Sequence, residues 1–146
     1  MSWTSDLEAG LAEHLAAAGL GVWRPTGPAY TTAEVGIVTG RVPTAPDRVI
    51  VINAYNVTSG LLSHVTLGLQ IKVRGPKSAD PRPAQDLTDA IYDRLHGARD
   101  LTLAGIPVAL LWRQSWAWLG PDANGRDETT SNYYAETAHP SAHVTD

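Results

Sequence analysis

Residues 64–74 constrain the fold more than any other stretch of this sequence, because apolar residues occupy every second position there. The apolar positions are Val65, Leu67, Leu69, Ile71 and Val73. The positions between them are His64, Thr66, Gly68, Gln70, Lys72 and Arg74. A period of two residues predicts a β-strand that rests one face on a core and presents the other to water or to a partner.

Two further segments have the apolar spacing of amphipathic helices. The first is predicted over residues 5–18, where leucines recur every four residues and Ser5 and Glu8 have capping-box spacing. The second follows residue 83 and is predicted to end near His96, with Leu87, Ile91 and Leu95 as its apolar stripe. A glycine suited to a left-handed C-cap follows each helix.

The remaining segments predict a sheet that these helices cover. Strands are predicted at residues 20–23, 35–39, 49–52, 108–118 and 131–137. Residues 53–60 are predicted to form a polar turn, and residues 75–83, with three prolines, a loop. This order favours an α+β fold, with a mixed or antiparallel sheet and two helices packed on one face. We expect one domain over residues 1–138 and a flexible C-terminal tail over residues 139–146.

Tryptophans concentrate in the predicted strand 108–118. Its even positions include Trp112, Trp116 and Trp118, whereas the odd positions hold two alanines, a leucine, a serine and Arg113. An unbroken strand would therefore have one aromatic face, which favours a core or a subunit interface. Stacking of single-stranded nucleic acid is the alternative. Asn124 and the glycine after it predict a hairpin turn that leads to the returning strand.

Composition excludes several classes of protein. The 146-residue chain has no cysteine, which rules out disulfides and cysteine-based zinc sites. Its formal net charge of −4 argues against a strongly basic nucleic-acid-binding domain. The sequence has neither the pattern of a signal peptide nor an apolar run long enough to cross a membrane. We expect synthesis in a cytosol and no membrane partner.

Few residues are candidates for catalysis or metal binding. His139 and His143 are separated by a proline that disfavours the helix needed to align them. Asp86, Asp89 and Asp93 share a helix face that we predict to be solvated. Residues 122–127 begin like a calcium loop but lack its required glycine and glutamate. With no nucleophile or phosphate-binding motif, we predict no metal, no cofactor and no enzymatic activity.

Five segments together resemble a known family. They are LAAAGLGVWRP at 15–25, GLQIKVRGP at 68–76, DAIYDRLHG at 89–97, WRQSWAWLGPDANGR at 112–126 and NYY at 132–134. They resemble the minor capsid or tail terminator proteins of long-tailed bacteriophages. The resemblance implies a structural virion subunit of the tail or neck, made in the host cytoplasm. It implies a homo-oligomeric ring, typically a hexamer, that caps the tail tube and meets the head connector, with DNA only as cargo in the channel.

The predicted interface follows from this resemblance together with the strand pattern. If the strands have no bulge, Arg74 and Arg113 lie on their non-apolar faces, where they serve either surface solubility or charge-assisted contact with a neighbouring subunit. The loops over 75–83 and 121–128 are predicted contact arms. The full set of expected interface residues is Arg74, Arg113, Asp122, Arg126 and Tyr133. A head-closure or connector subunit of the same neck and a nucleic-acid-binding module are the alternative functions.

Overall fold

The computed structural model describes residues 2–145, which form two helices and seven strands. The helices are α1 (Trp3–Ala17) and α2 (Arg82–Leu95). The strands are β1 (Val22–Trp23), β2 (Gly36–Thr39), β3 (Val49–Thr58), β4 (His64–Lys77), β5 (Ala98–Leu103), β6 (Ile106–Pro121) and β7 (Arg126–Ala138).

All seven strands belong to one sheet in the order β1-β2-β3-β4-β7-β6-β5. Strands β1, β2 and β3 run parallel to one another, and every later pair is antiparallel. The long strands β4 and β7 therefore lie in the middle of the sheet. The predicted α+β class with a mixed sheet is confirmed, whereas the packing of both helices on one face stays a prediction.

The alternating strand supplies the centre of the core, as its pattern predicted. All five of its apolar residues are buried, and they join one cluster with the leucine stripe of α1 and with Ile91 and Leu95 of α2. Helix α1 packs against β1, β2, β3 and β5, and helix α2 packs against β4, β6 and β7. The sheet thus curls, because α1 reaches β5 at one edge and β1 at the other. Burial of each large apolar side chain contributes about 1.5–3 kcal/mol.

Several predicted boundaries were wrong. Helix α1 starts at Trp3, and its capping box joins Ser2 to Ser5 rather than Ser5 to Glu8. The Glu8 carboxylate instead accepts the backbone N–H of Ala54 in β3 at 2.8 Å. Strand β3 continues through the predicted turn to Thr58, because its second half pairs with residues 66–70 of β4. Strand β4 likewise extends to Lys77, so the predicted loop over 75–83 shrinks to residues 78–81.

The single aromatic face predicted for residues 108–118 was also wrong. Strand β6 shifts register against β7 between Val108 and Leu110, between Arg113 and Ser115, and between Trp118 and Gly120. Each irregularity adds an unpaired residue that moves the following side chains to the other face. As a result, Arg113 pairs with the core residue Tyr133, and the tryptophans separate onto two faces of the sheet.

The first residues of the C-terminal tail contact the domain. The His139 backbone N–H donates to the Ser63 carbonyl at 2.8 Å, and its ring stacks on Trp3 with centroids 3.9 Å apart. Ser141 and Val144 form an isolated bridge. Flexibility over residues 139–146 stays a prediction, as do the domain bounds. Met1 and Asp146, the outermost residues of those predicted ranges, lie outside the described residues.

Candidate subunit interface

Two buried arginines fix the loop between β2 and β3. Arg74 of β4 is 3% exposed and donates from Nε to the Asp47 carbonyl and from Nη2 to the Pro46 carbonyl, both at 2.8 Å. Arg126 of β7 donates from Nη1 to the Thr44 carbonyl at 2.7 Å and forms an ion pair with the Asp47 carboxylate at 3.2 Å. We call Arg74, Arg126 and residues 44–47 the arginine clamp. It holds a loop that strand pairing alone would leave loose.

The clamp brings two like charges close together. Burial lowers the pKa of Arg74, and the charge of Arg126 lowers it further, while three nearby carboxylates act in the opposite direction. Buried charges are tolerated only where hydrogen bonds and counter-charges replace lost water. The main-chain carbonyls of the loop and the acidic side chains around it provide this replacement.

Asp122 connects the clamp to the hairpin between β6 and β7. Its Oδ1 accepts the backbone N–H groups of Asn124 and Arg126, each at 2.9 Å, and its Oδ2 accepts Arg126 Nε at 2.9 Å. Burial alone would raise the pKa of the Asp122 carboxyl, but these hydrogen bonds outweigh it and lower that pKa. Gly125 has a φ of 75°, so the predicted hairpin turn is confirmed and glycine suits its left-handed position.

Arg113 and Tyr133 form a second group near the middle of the sheet. The Arg113 guanidinium lies over the Tyr92 ring of α2 at 4.1 Å and over the Trp116 ring at 5.5 Å. The Arg113 Nη1 atom and the Tyr133 hydroxyl are buried without a hydrogen-bond partner among the described residues. Burial raises the pKa of Tyr133 to about 12, although the positive charge of Arg113 and a hydrogen-bonding interaction with its side chain both act against this rise.

The structure thus separates the five predicted interface residues into two groups. Arg74, Asp122 and Arg126 meet at one end of the sheet, while Arg113 and Tyr133 pair across β6 and β7. Arg74, Arg126 and Tyr133 are at most 5% exposed in the subunit. A neighbour that meets the first group would therefore touch the loops these arginines hold, and their direct contact with a neighbour stays a prediction.

Exposed apolar residues lie at two places, of which the sequence patterns singled out the tryptophans of β6 and missed two leucines. Trp116, Trp118 and Leu119 are 44–51% exposed near the end of β6, and we call them the tryptophan rim. Leu61 and Leu62, in the turn before β4, are 92% and 64% exposed. We call residues 59–63 the leucine loop. The available signal was an apolar pair between Gly60 and a serine, directly after the predicted polar turn.

A groove adjoins the tryptophan rim at the end of β6. It has a volume of about 620 Å³, and Ala79, Pro81, Trp118 and Pro121 contribute to its walls. Residues of both loops predicted as contact arms line it. The two loops are joined by a hydrogen bond, in which the Ser78 backbone N–H donates to the Gly125 carbonyl at 3.3 Å. The Trp118 indole N–H donates to the buried Asp127 carboxylate at 3.2 Å, which fixes the ring at the groove wall.

The polar face of the central strands offers few free positive charges. Lys72 forms an ion pair with Glu128 at 3.4 Å, and the Tyr55 hydroxyl donates to Asn132 at 3.0 Å. Over residues 2–145 no group of three or more His, Cys, Asp or Glu side chains could hold a metal ion. Within the same residues, neither helix is both long and apolar enough to span a membrane.

Comparison with known proteins identifies a shared fold and a family. A solved structure of the virion of a native gene transfer agent particle contains a chain that is similar to this one, with a TM-score of 0.65 and 19% sequence identity. The match covers 94% of this chain and 100% of that one, and at this identity it shows a shared fold. No curated protein sequence matches the chain. The family model of bacteriophage tail terminator proteins matches residues 14–138, so this chain belongs to the bacteriophage tail terminator protein family.

Proposed function

We propose that copies of this chain form a ring, a hexamer, that caps the tail tube and joins it to the head connector. Membership in the tail terminator family supports a structural role in the virion neck or tail. The ring is supported above all by the placement of exposed apolar residues at opposite ends of the sheet. The leucine loop precedes β4, and the tryptophan rim lies beside the residues that follow it.

Two separate apolar patches favour contact with more than one neighbour. Contiguous exposed apolar surface on a soluble protein commonly marks an interaction site. A head-to-tail contact between identical subunits uses two different patches on each copy and closes into a ring when the rotation permits. The arginine clamp stiffens the loops at one of these ends, which lowers the entropy lost on assembly.

The alternative of a nucleic-acid-binding module has less support. The exposed tryptophans could stack on bases, but such sites also need a positively charged groove. Arg74 and Arg126 are buried, and Lys72 is ion-paired with Glu128. We therefore propose that DNA passes the ring as cargo. Binding of single-stranded DNA that weakens steeply as salt rises would instead favour this alternative.

Purified tail tubes that lack their cap provide the test. Incubation with the chain should place protein at one tube end only and stop further addition of tube subunits, as seen by negative-stain electron microscopy. A chain that binds isolated connectors but not tubes would favour a head-closure or connector subunit. Proline substitution within β4 serves as an unfolded control, because it removes a ladder hydrogen bond at the centre of the sheet.

A further inference from the structure

The leucine loop is an apolar projection without charge. Leu61 and Leu62 lie at its tip with 92% and 64% of their surface exposed. Residues 54–63 contain no charged side chain. Transfer of these leucines from water into an apolar site is favourable in proportion to the apolar area removed from water. Because the projection is uncharged, it fits a groove that has apolar walls and that supplies no counter-charge.

The groove beside the tryptophan rim has these properties. Its walls include an alanine, two prolines and the Trp118 ring, and polar groups from Lys77 and Asn124 lie along its lining. An apolar centre with a polar rim is the usual composition of a protein interface. Because Asp127 holds the Trp118 indole and Ser78 holds the hairpin, the groove is formed before any partner arrives.

The two surfaces cannot meet within one subunit. They flank β4, whose 14 residues span roughly 45 Å as a strand. We infer that the leucine loop of one copy occupies the groove of the next copy, with Leu61 and Leu62 against Trp118 and Pro81. This inference rests on the proposed ring and names the contact that closes it. A single contact type, repeated around the ring, then covers both apolar patches on every subunit.

A second copy fits better than an unrelated partner for one reason. The chain that has the groove always carries the matching projection, so every subunit in a closed ring is satisfied without another protein. For six copies spaced by roughly 45 Å, the contacts lie on a hexagon about 90 Å across. The ring diameter measured by electron microscopy should agree with this spacing.

Disulfide trapping tests the contact, because the chain has no cysteine of its own. We would prepare Leu61→Cys and Ala79→Cys as separate full-length variants, mix them in equal amounts and oxidise them. The expected product is a mixed disulfide dimer that exceeds the product of either variant alone. A chain with both substitutions should yield a ladder of linked copies on a non-reducing gel. Asp86→Cys, on the exposed face of α2, replaces Ala79→Cys in the matched control.

The outcomes separate the inference from the proposed function. A mixed Leu61–Ala79 disulfide well above the Asp86 control supports the contact. Its absence overturns the contact, even where electron microscopy of the wild-type chain shows rings on tubes. Failure of the wild-type chain to form rings or to bind tubes contradicts the proposed function by itself. Near-ultraviolet circular dichroism of each variant verifies that the fold is retained.

Discussion

Removal of the buried Tyr133 hydroxyl is expected to stabilise the fold, whereas most substitutions of core residues destabilise it. The side chain is fully buried, and its hydroxyl forms no hydrogen bond of regular geometry with the described residues, although the Arg113 side chain is close enough to interact with it. A buried polar group without a partner costs about 1–3 kcal/mol of stability. Tyr133→Phe removes that group and retains the ring. We therefore expect the free energy of unfolding at pH 7 to rise, by at most about 1–3 kcal/mol because the interaction with the Arg113 side chain is lost as well.

Tyr30 provides the matched control, because its hydroxyl donates one hydrogen bond and accepts another. It donates to the Ile37 carbonyl at 2.8 Å and accepts the Arg24 backbone N–H at 3.0 Å. Tyr30→Phe should lower the free energy of unfolding by about 1–3 kcal/mol, since each lost bond contributes about 0.5–1.5 kcal/mol. Urea denaturation followed by tryptophan fluorescence measures both variants.

The pH dependence supplies a second test of the same site. The pKa of Tyr133 is raised from 10.0 to about 12 by burial, so the folded state favours the neutral phenol. The stability from this group is present below pH 10 and is lost as pH rises towards 12. Two pH units correspond to about 3 kcal/mol. Tyr133→Phe should remove this loss relative to wild type. Destabilisation of Tyr133→Phe at pH 7 to the same extent as Tyr30→Phe would refute the reasoning.

Three further perturbations test the clamp, the hairpin and an exposed ion pair. Arg126→Ala should lower the free energy of unfolding by about 1.5–3 kcal/mol because it leaves the partly buried Asp122 carboxylate and the Thr44 carbonyl without their charged donor, whereas Arg82→Ala at an exposed ion pair should cost at most about 1 kcal/mol in thermal denaturation. Gly125→Ala should cost about 1–2 kcal/mol because φ is 75°, while Gly60→Ala, whose added Cβ would meet open space, should be nearly neutral by urea denaturation. The pKa of Glu34 is lowered to about 2 by a hydrogen bond from an arginine side chain, so its stability contribution is lost as pH falls from 4.5 towards 2, and Glu34→Gln should flatten that part of the measured stability–pH curve.

The central strand was predictable because one physical demand dominates it. Residues 64–74 alternate without interruption, and the sheet uses that alternation to bury one face. The hairpin turn was predictable for a similar reason, since Gly125 meets a local backbone requirement. A structural feature can be predicted from the sequence when a local pattern of residues is compatible with one backbone conformation.

The end of the sheet that carries the arginine clamp and the tryptophan rim was less predictable, because it depends on register and on distant partners. Three irregularities in β6 redirect the tryptophans, and a sequence pattern does not mark an inserted residue. Arg74 and Arg126 bind a loop whose acceptors lie 27 and 82 residues away from them in sequence. Only the folded sheet brings these groups together. The exposed Leu61 had a local signal, yet its exposure follows from where the turn projects.

The tail terminator role is tested most directly by cryo-electron microscopy of the chain assembled on tail tubes. We predict a closed ring of six copies at one end of the tube, with the leucine loop of each copy beside Trp118 of the next. The ring should be about 90 Å across at these contacts. A chain that stays monomeric in the presence of tubes and leaves both tube ends bare would contradict this role.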